Sequence, residues 1–423
     1  MLTATSVQAQ VAAAREDPLR VLVVGAGVAG VTLAQLLRRA GLHPVLLERS
    51  GQDADSGYML ALMPMVDPVL EELGLRDEYA AHSVGLRRYR LRNRAGALIR
   101  EYSMEGLLNR FGDYRGISRG ELLQVLGSNG GTVSYGATVT AAEQRSGAAR
   151  VIAYDGSEHV GAEFDVVVAA DGLHSTTRDL VLHANQVSGY DTGWGGWVAW
   201  SEPDDASDLG EELWGAGFFI ATYPVKGRLG VFVGGARVDT RVGPERFVAR
   251  VRGELTSLDS RLDAALDAVA RSNEAYYWSL TDCRCATWSV GRVVLLGDAA
   301  AGFLPTAGIG AGMAMESAWA LGRRLGTATP ERVLDVLRDY EQAQRPRVES
   351  ALGNSRQLAR LVFRRSKVLA ALRDTVIRFV TLERALRPIR TLLKDTPRVP
   401  SREPTLGPGA RGAVHRARAP RGL

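Results

Sequence analysis

The chain has 423 residues, 46% of them hydrophobic, so it can bury a large core and fill more than one domain. Its formal net charge is +5, and much of the excess sits after Arg411, where arginines occur without acids. A solvated basic tail explains that run, and no nucleic-acid partner is expected because no recognition module accompanies it. Residues 1–18 read as an N-terminal extension. Their thin apolar stretch ends at Arg15, Glu16 and Asp17, which does not fit a secretory signal, and a cytoplasmic location is expected.

Leu19 to Val24 is a continuous apolar run, as in a parallel strand buried on both faces. Val28 to Arg39 has helical periodicity, ended by Gly41, and His43 to Leu47 is the next strand. The uncharged run Val21 to Leu37 nearly matches a bilayer in length, but its three glycines assign it to a nucleotide fold, and no membrane partner is expected. Gly25 allows a tight turn, Gly27 lets the backbone approach a diphosphate, and Gly30 lets the helix pack close to the strand. Glu48 can accept hydrogen bonds from an adenosine ribose, so the dinucleotide is FAD or NAD rather than NADP.

Ser118 and Glu121 form a capping box ahead of a helix. Phe164 to Ala170 is another buried strand, and it runs into Asp171, Gly172, Ser175 and Arg178. Read alone, that segment is a strand-end turn with Ser175 capping a helix. From Val187 to Ser279 the pattern changes to aromatic strands around Trp194–Trp200, Leu213–Tyr223 and Leu229–Gly234, with a turn at Lys226 and Gly227. Helices over Pro244–Gly253 and Leu258–Ala270 follow. Cys283 and Cys285 share one face of an extended segment, too strained for a mutual disulfide and too few for zinc, so they read as reduced structural thiols. No metal site is expected. Arg292 to Leu296 is a further buried strand leading into Gly297 and Asp298. The chain then becomes helical from Glu331 to Lys394.

These elements describe an α/β fold: a Rossmann-like nucleotide domain over 19–186 and 282–358, with some strands near 84–103 lent to an inserted α+β substrate domain over 187–281. C-terminal helices occupy 359–394. The segment 395–423, rich in Pro, Gly and Arg, is expected to be disordered.

Three signatures recur in a fixed order: Gly25–Gly30 followed by Glu48 and Arg49, then Asp171–Arg178, then Gly297–Gly310. Together they resemble the group A flavoprotein monooxygenases, the para-hydroxybenzoate hydroxylase family, over roughly Arg20 to Arg347. The resemblance implies a GR2-type FAD-binding domain. It implies that Gly25, Gly27, Val28, Ala29, Gly30, Glu48 and Arg49 hold the adenosine diphosphate half of FAD, with Val139 offering backbone to the adenine. Arg119 is implied at the phosphate or ribityl region. Asp171, Gly172 and Arg178 are implied behind the diphosphate, beside a groove for a transient nicotinamide. Gly297 and Asp298 are implied at the ribityl chain. Pro305, Gly308, Gly310, Ala311 and Gly312 lead into a helix aimed at the flavin pyrimidine ring, where its N-terminus favours negative charge. The chain departs from the family pattern at Ala301, where histidine is usual, at Gly312 for asparagine, and at Ser317 for aspartate.

The implied activity is monooxygenation: NADPH or NADH reduces FAD, O2 adds, and a flavin C4a-hydroperoxide hydroxylates or epoxidises a hydrophobic, aromatic or polycyclic small molecule. Trp200, Trp214, Phe218, Tyr223 and Phe232 are candidates for its pocket, although core packing accounts for such residues equally well. No catalytic acid or base is legible. Alternatives are an oxidase or dehydrogenase, a halogenase (Trp197 and Trp200 lack the spacing that family needs), and a non-catalytic flavoprotein scaffold. A monomer or homodimer is expected.

Overall fold

The structure is a computed structural model that describes residues 1–52, 57–108, 110–272, 275–379, 387–397 and 399. The strand Val21–Val24 is buried along its whole length and sits between Val45–Glu48 and Val166–Ala169, both parallel to it. Its continuous apolar run is what a strand covered on both faces requires. The full sheet has seven strands, in the order Thr3–Ala4, Thr132–Tyr135, Val45–Glu48, Val21–Val24, Val166–Ala169, Val293–Leu295 and Ser289–Val290. Only the last pairing is antiparallel. The helices Val28–Arg39 and Gly310–Leu325 cover one face in close contact; a Cβ on Gly322 would lie 3.0 Å from that of Leu36. The antiparallel strands Thr138–Arg145, Ala148–Tyr154 and His159–Phe164 cover the other.

Residues 1–18 are integrated into this sheet rather than appended to it. Thr3–Ala4 pairs with the edge strand Thr132–Tyr135, and the helix Val7–Ala13 follows. The buried Gln10 amide donates to Leu46 O at 3.0 Å and accepts from Leu46 N at 2.9 Å. One side chain there does the work of an extra strand residue.

The second large sheet runs Tyr276–Cys285, Val187–Ser201, Arg228–Ala236, Phe218–Val225, Leu209–Trp214, Arg88–Arg92 and Leu98–Ser103. Alternation sorts its side chains onto two faces. Trp197, Phe218, Ile220 and Val233 pack on the helices Pro244–Glu254 and Ser260–Arg271. Trp214, Phe219 and Phe232 face the nucleotide domain. The expected single strand Leu213–Tyr223 is two strands. Gly215 and Gly217 make a hairpin, with Gly217 at φ 95° and Gly215 N donating to Phe218 O at 2.9 Å. Two glycines within three residues end the strand despite unbroken aromatic character on either side.

The helix Val333–Val362 runs back along the nucleotide domain, and Lys367–Ile377 then docks on the hairpin. Arg373 makes that contact, donating to the carbonyls of Trp214, Gly215 and Val362 and to Asp374. Of the expected tail, only 395–397 and 399 lie among the described residues. Among the described residues, no helix is long and apolar enough to cross a membrane.

Candidate flavin and substrate site

A cavity of about 910 Å³ lies between the carboxyl ends of the central parallel strands and the aromatic face of the second sheet. Its dinucleotide side is built from the glycine turn. Gly25 stands at φ 104°, and a Cβ there would meet Ala170 O at 2.5 Å. On Gly30 a Cβ would meet Gly25 O at 1.9 Å, so only glycine lets the helix pass so near the turn. Gly27 differs: a Cβ there would find only the Arg119 guanidinium, 4.0 Å away. Gly27, Val28, Ala29 and Arg119 line the cavity. No side chain caps this helix, so its first amides and its positive end face the open space beside a guanidinium. A diphosphate fits that arrangement.

Glu48 accepts from Ala26 N and from Ser50 N, both at 2.8 Å. It therefore fixes the glycine turn directly, and its remaining lone pairs are free for a ribose diol. Arg49 is exposed beside it. Val139 buries its side chain against the nucleotide sheet, and the pairing of its strand with Ala148–Tyr154 shifts register between Val139 and Ala141. Glu48→Arg should weaken FAD binding about tenfold or more, through lost hydrogen bonds and a mismatched charge of on the order of 1–3 kcal/mol. Titration of the apoprotein with FAD checks this; an unchanged dissociation constant would remove Glu48 from the site.

Asp171 accepts from Thr177 N at 3.0 Å and from the Ser175 hydroxyl, while Ser175 Oγ accepts from Arg178 N at 2.9 Å. This locks the turn that presents Gly172 to the cavity. Arg178 does not face a groove open to a nicotinamide. It is only 6% exposed and donates to Leu173 O at 3.1 Å and Ala299 O at 3.4 Å. The motif arginine is thus a brace between the second and third signatures, held there because a buried guanidinium needs carbonyl partners. Cys283 and Cys285 are free and buried beneath it, with thiols donating to Asp298 O at 3.3 Å and Ala299 O at 3.4 Å.

Gly297, at φ 61°, turns the strand Val293–Leu295 into the short helix Asp298–Ala301. The Asp298 side chain lines the cavity, and burial pushes its carboxyl up to about 6. No described residue donates a hydrogen bond to it. A carboxylate held in a cavity without a donor calls for a hydroxyl-bearing ligand. Pro305, Gly308, Gly310 and Ala311 line the adjoining wall, and Gly308 takes the left-handed conformation at φ 61° before the helix Gly310–Leu325 begins. Gly312 is not on this wall. A Cβ there would meet Met65 Sδ at 2.8 Å, so its missing side chain serves packing within the domain. The unpaired carboxylate, the uncapped helix and the glycine cradle together fit a polyhydroxylated diphosphate such as FAD.

On the substrate side, Trp214, Tyr223 and Phe232 line the cavity. Phe218 does not: it faces the helices behind the sheet, and its neighbour Phe219 takes the lining position. Trp200 lies beyond the cavity, with the Arg228 guanidinium 4.0 Å over its ring. Sequence reading missed Tyr58, Tyr89, Tyr114, Glu212 and Trp278, all of which line the cavity. Among the described residues, no group of His, Cys, Asp and Glu could hold a metal ion.

Residues 18–355 match the FAD binding domain family. The chain is 31% identical over 357 residues to the 3-amino-4-hydroxybenzoate 2-monooxygenase PtmB3 of Streptomyces platensis, covering 80% of this chain and 87% of that one. It is 33% identical over 353 residues to the 3-amino-4-hydroxybenzoate 2-monooxygenase of Streptomyces cremeus, covering 81% and 87%. Among solved structures, Klebsiella pneumoniae HpxO with FAD and uric acid aligns with a TM-score of 0.77 at 23% identity, over 89% of this chain and 97% of that chain. That last likeness is one of fold. The chain belongs to the FAD binding domain family, with the para-hydroxybenzoate hydroxylase type of fold. It is an FAD-dependent monooxygenase.

Proposed function

We propose that this enzyme uses NADPH or NADH and O2 to hydroxylate or epoxidise a hydrophobic, ring-bearing small molecule. The observation that carries the reading is the continuity of one cavity from the glycine cradle to the aromatic face of the second sheet. The glycine cradle and Asp298 would hold a flavin in the same cavity that the aromatic walls line. When bound, the flavin supplies electron transfer from the nicotinamide and delivery of one oxygen atom. The chain's own contributions are physical. Asp298 accepts from hydroxyls and fixes the position of the ring. The first amides of the uncapped helix Gly310–Leu325 favour negative charge beside it. Trp214, Phe219 and Phe232 exclude water from the reacting region. The Streptomyces relatives are named for an aminohydroxybenzoate, a small aromatic ring, which agrees with these walls.

The test is nicotinamide consumption by the purified holoprotein against a set of ring compounds. At least one should raise the rate several-fold over the substrate-free rate. A flavin-loaded protein that no ring compound stimulates contradicts the reading and favours a non-catalytic scaffold.

A further inference from the structure

We infer that Glu212 is the substrate anchor: the cavity takes a ring bearing a hydroxyl or N–H group, and that group donates to the Glu212 carboxylate. The inference rests on the oxygenation reading above and names the substrate class for it.

Glu212 follows another acid, and the strand Leu209–Trp214 sends the two in opposite directions. Glu211 is 1% exposed and is neutralised by Arg92 and Arg261. Glu212 opens onto the cavity, and no cation compensates it. Its partners are neutral: Trp214 Nε1 donates at 2.8 Å and the Tyr223 hydroxyl at 2.8 Å, with Tyr89 beside them on the cavity wall. Tyr114 stands with Tyr223 on the same cavity wall. A carboxylate offers about four lone-pair sites, so these two donors leave room for another. Burial pushes the Glu212 carboxyl up from its ordinary value, the mark of a charge short of partners.

The cavity's arginines do not fill that need. Arg373 is committed to Asp374 and three carbonyls, and Arg119 stands by the glycine turn. Arg364, the third, lies at the end of the helix Val333–Val362 and is not among the groups acting on Glu212. The apolar lining binds any ring of suitable size, whereas Glu212 and its fixed aromatic donors distinguish a ring with a donor from one without. Such discrimination is strong because a lost bond leaves a buried charge unpaired.

The experiment titrates the oxidised holoprotein with 2-naphthol and with 2-methoxynaphthalene, following the flavin absorbance. The naphthol should bind at least about tenfold more tightly, the effect of one hydrogen bond to a charged acceptor. In Glu212→Gln the ratio should fall below about threefold, since an amide oxygen is a weaker acceptor. Tyr223→Phe removes a competing donor and should keep or enlarge the ratio. Equal affinities in the wild type overturn the inference, as does a ratio that Glu212→Gln leaves unchanged. Adding NADPH or NADH to the same samples separates the two claims. Preferential naphthol binding in a holoprotein that neither the naphthol nor any other ring compound stimulates sinks the proposed function and leaves the anchor standing. Stimulation that is equal for both compounds, in wild type and in Glu212→Gln, does the reverse.

Discussion

Asp298→Ala should fold but lose its flavin on purification. The carboxylate stands in the cavity with no donor from the described residues, so its loss leaves nothing in the apoprotein unsatisfied. FAD loses hydrogen bonds to a charged acceptor, each on the order of 1.5–3 kcal/mol, so affinity should drop at least about tenfold to a hundredfold. The same group gives a pH signature. Burial raises its folded pKa to about 6, above the ordinary aspartate value near 4. Between those values the folded apoprotein holds a proton that the unfolded chain has lost. The contribution of Asp298 to apoprotein stability is therefore fully present below about pH 4 and is lost as pH rises through 6, at most on the order of 3 kcal/mol. Donor hydroxyls favour the ionised form, so FAD uptake releases that proton. FAD affinity should rise from pH 4 to 6 and level off above. Asp298→Asn should abolish the slope. Retention of stoichiometric FAD by Asp298→Ala, or an identical slope in Asp298→Asn, contradicts the assignment.

The second large effect is on folding. In Gly30→Ala the new methyl would lie 1.9 Å from Gly25 O, which is backbone and cannot rotate away. The helix Val28–Arg39 would have to lift from the sheet, although nine of its residues, Ala29 to Leu37, are buried. Overpacking against fixed backbone should cost more than about 3 kcal/mol and yield little soluble protein. Gly27→Ala is the matched control. Its methyl would meet only the Arg119 guanidinium at 4.0 Å, so this variant should fold and lose FAD affinity instead. Thermal melts of both variants check the contrast; a Gly30→Ala melt within two or so degrees of wild type contradicts the packing argument.

The nucleotide half was legible because strands buried on both faces leave continuous apolar runs, and because Gly25 and Gly30 have steric reasons to be glycine. The helix Val28–Arg39 has the bounds its periodicity implies. What escaped the sequence depends on register or on long-range burial. The hairpin at Gly215–Gly217 resets the alternation of the aromatic strands, so Phe219 rather than Phe218 meets the cavity. Trp200 shares the parity of the lining residue Val198, yet the strand carries it past the cavity to Arg228. The strand Thr3–Ala4 is too short to leave a pattern. The Arg178 motif match located a residue but not its depth, and burial made a brace of a candidate ligand contact. Glu212 gave one signal that went unread. Glu211 and Glu212 are adjacent in a strand otherwise apolar, so each face carries an acid that needs a partner.

Monooxygenation is tested most directly with isotopes. Holoprotein is supplied with NADPH or NADH, ¹⁸O2 and the ring compound that most stimulates nicotinamide consumption, and the product is weighed by mass spectrometry. Each product molecule should carry one ¹⁸O atom, the second leaving as water. An unlabelled ring compound, with the consumed O2 recovered as hydrogen peroxide, would contradict it.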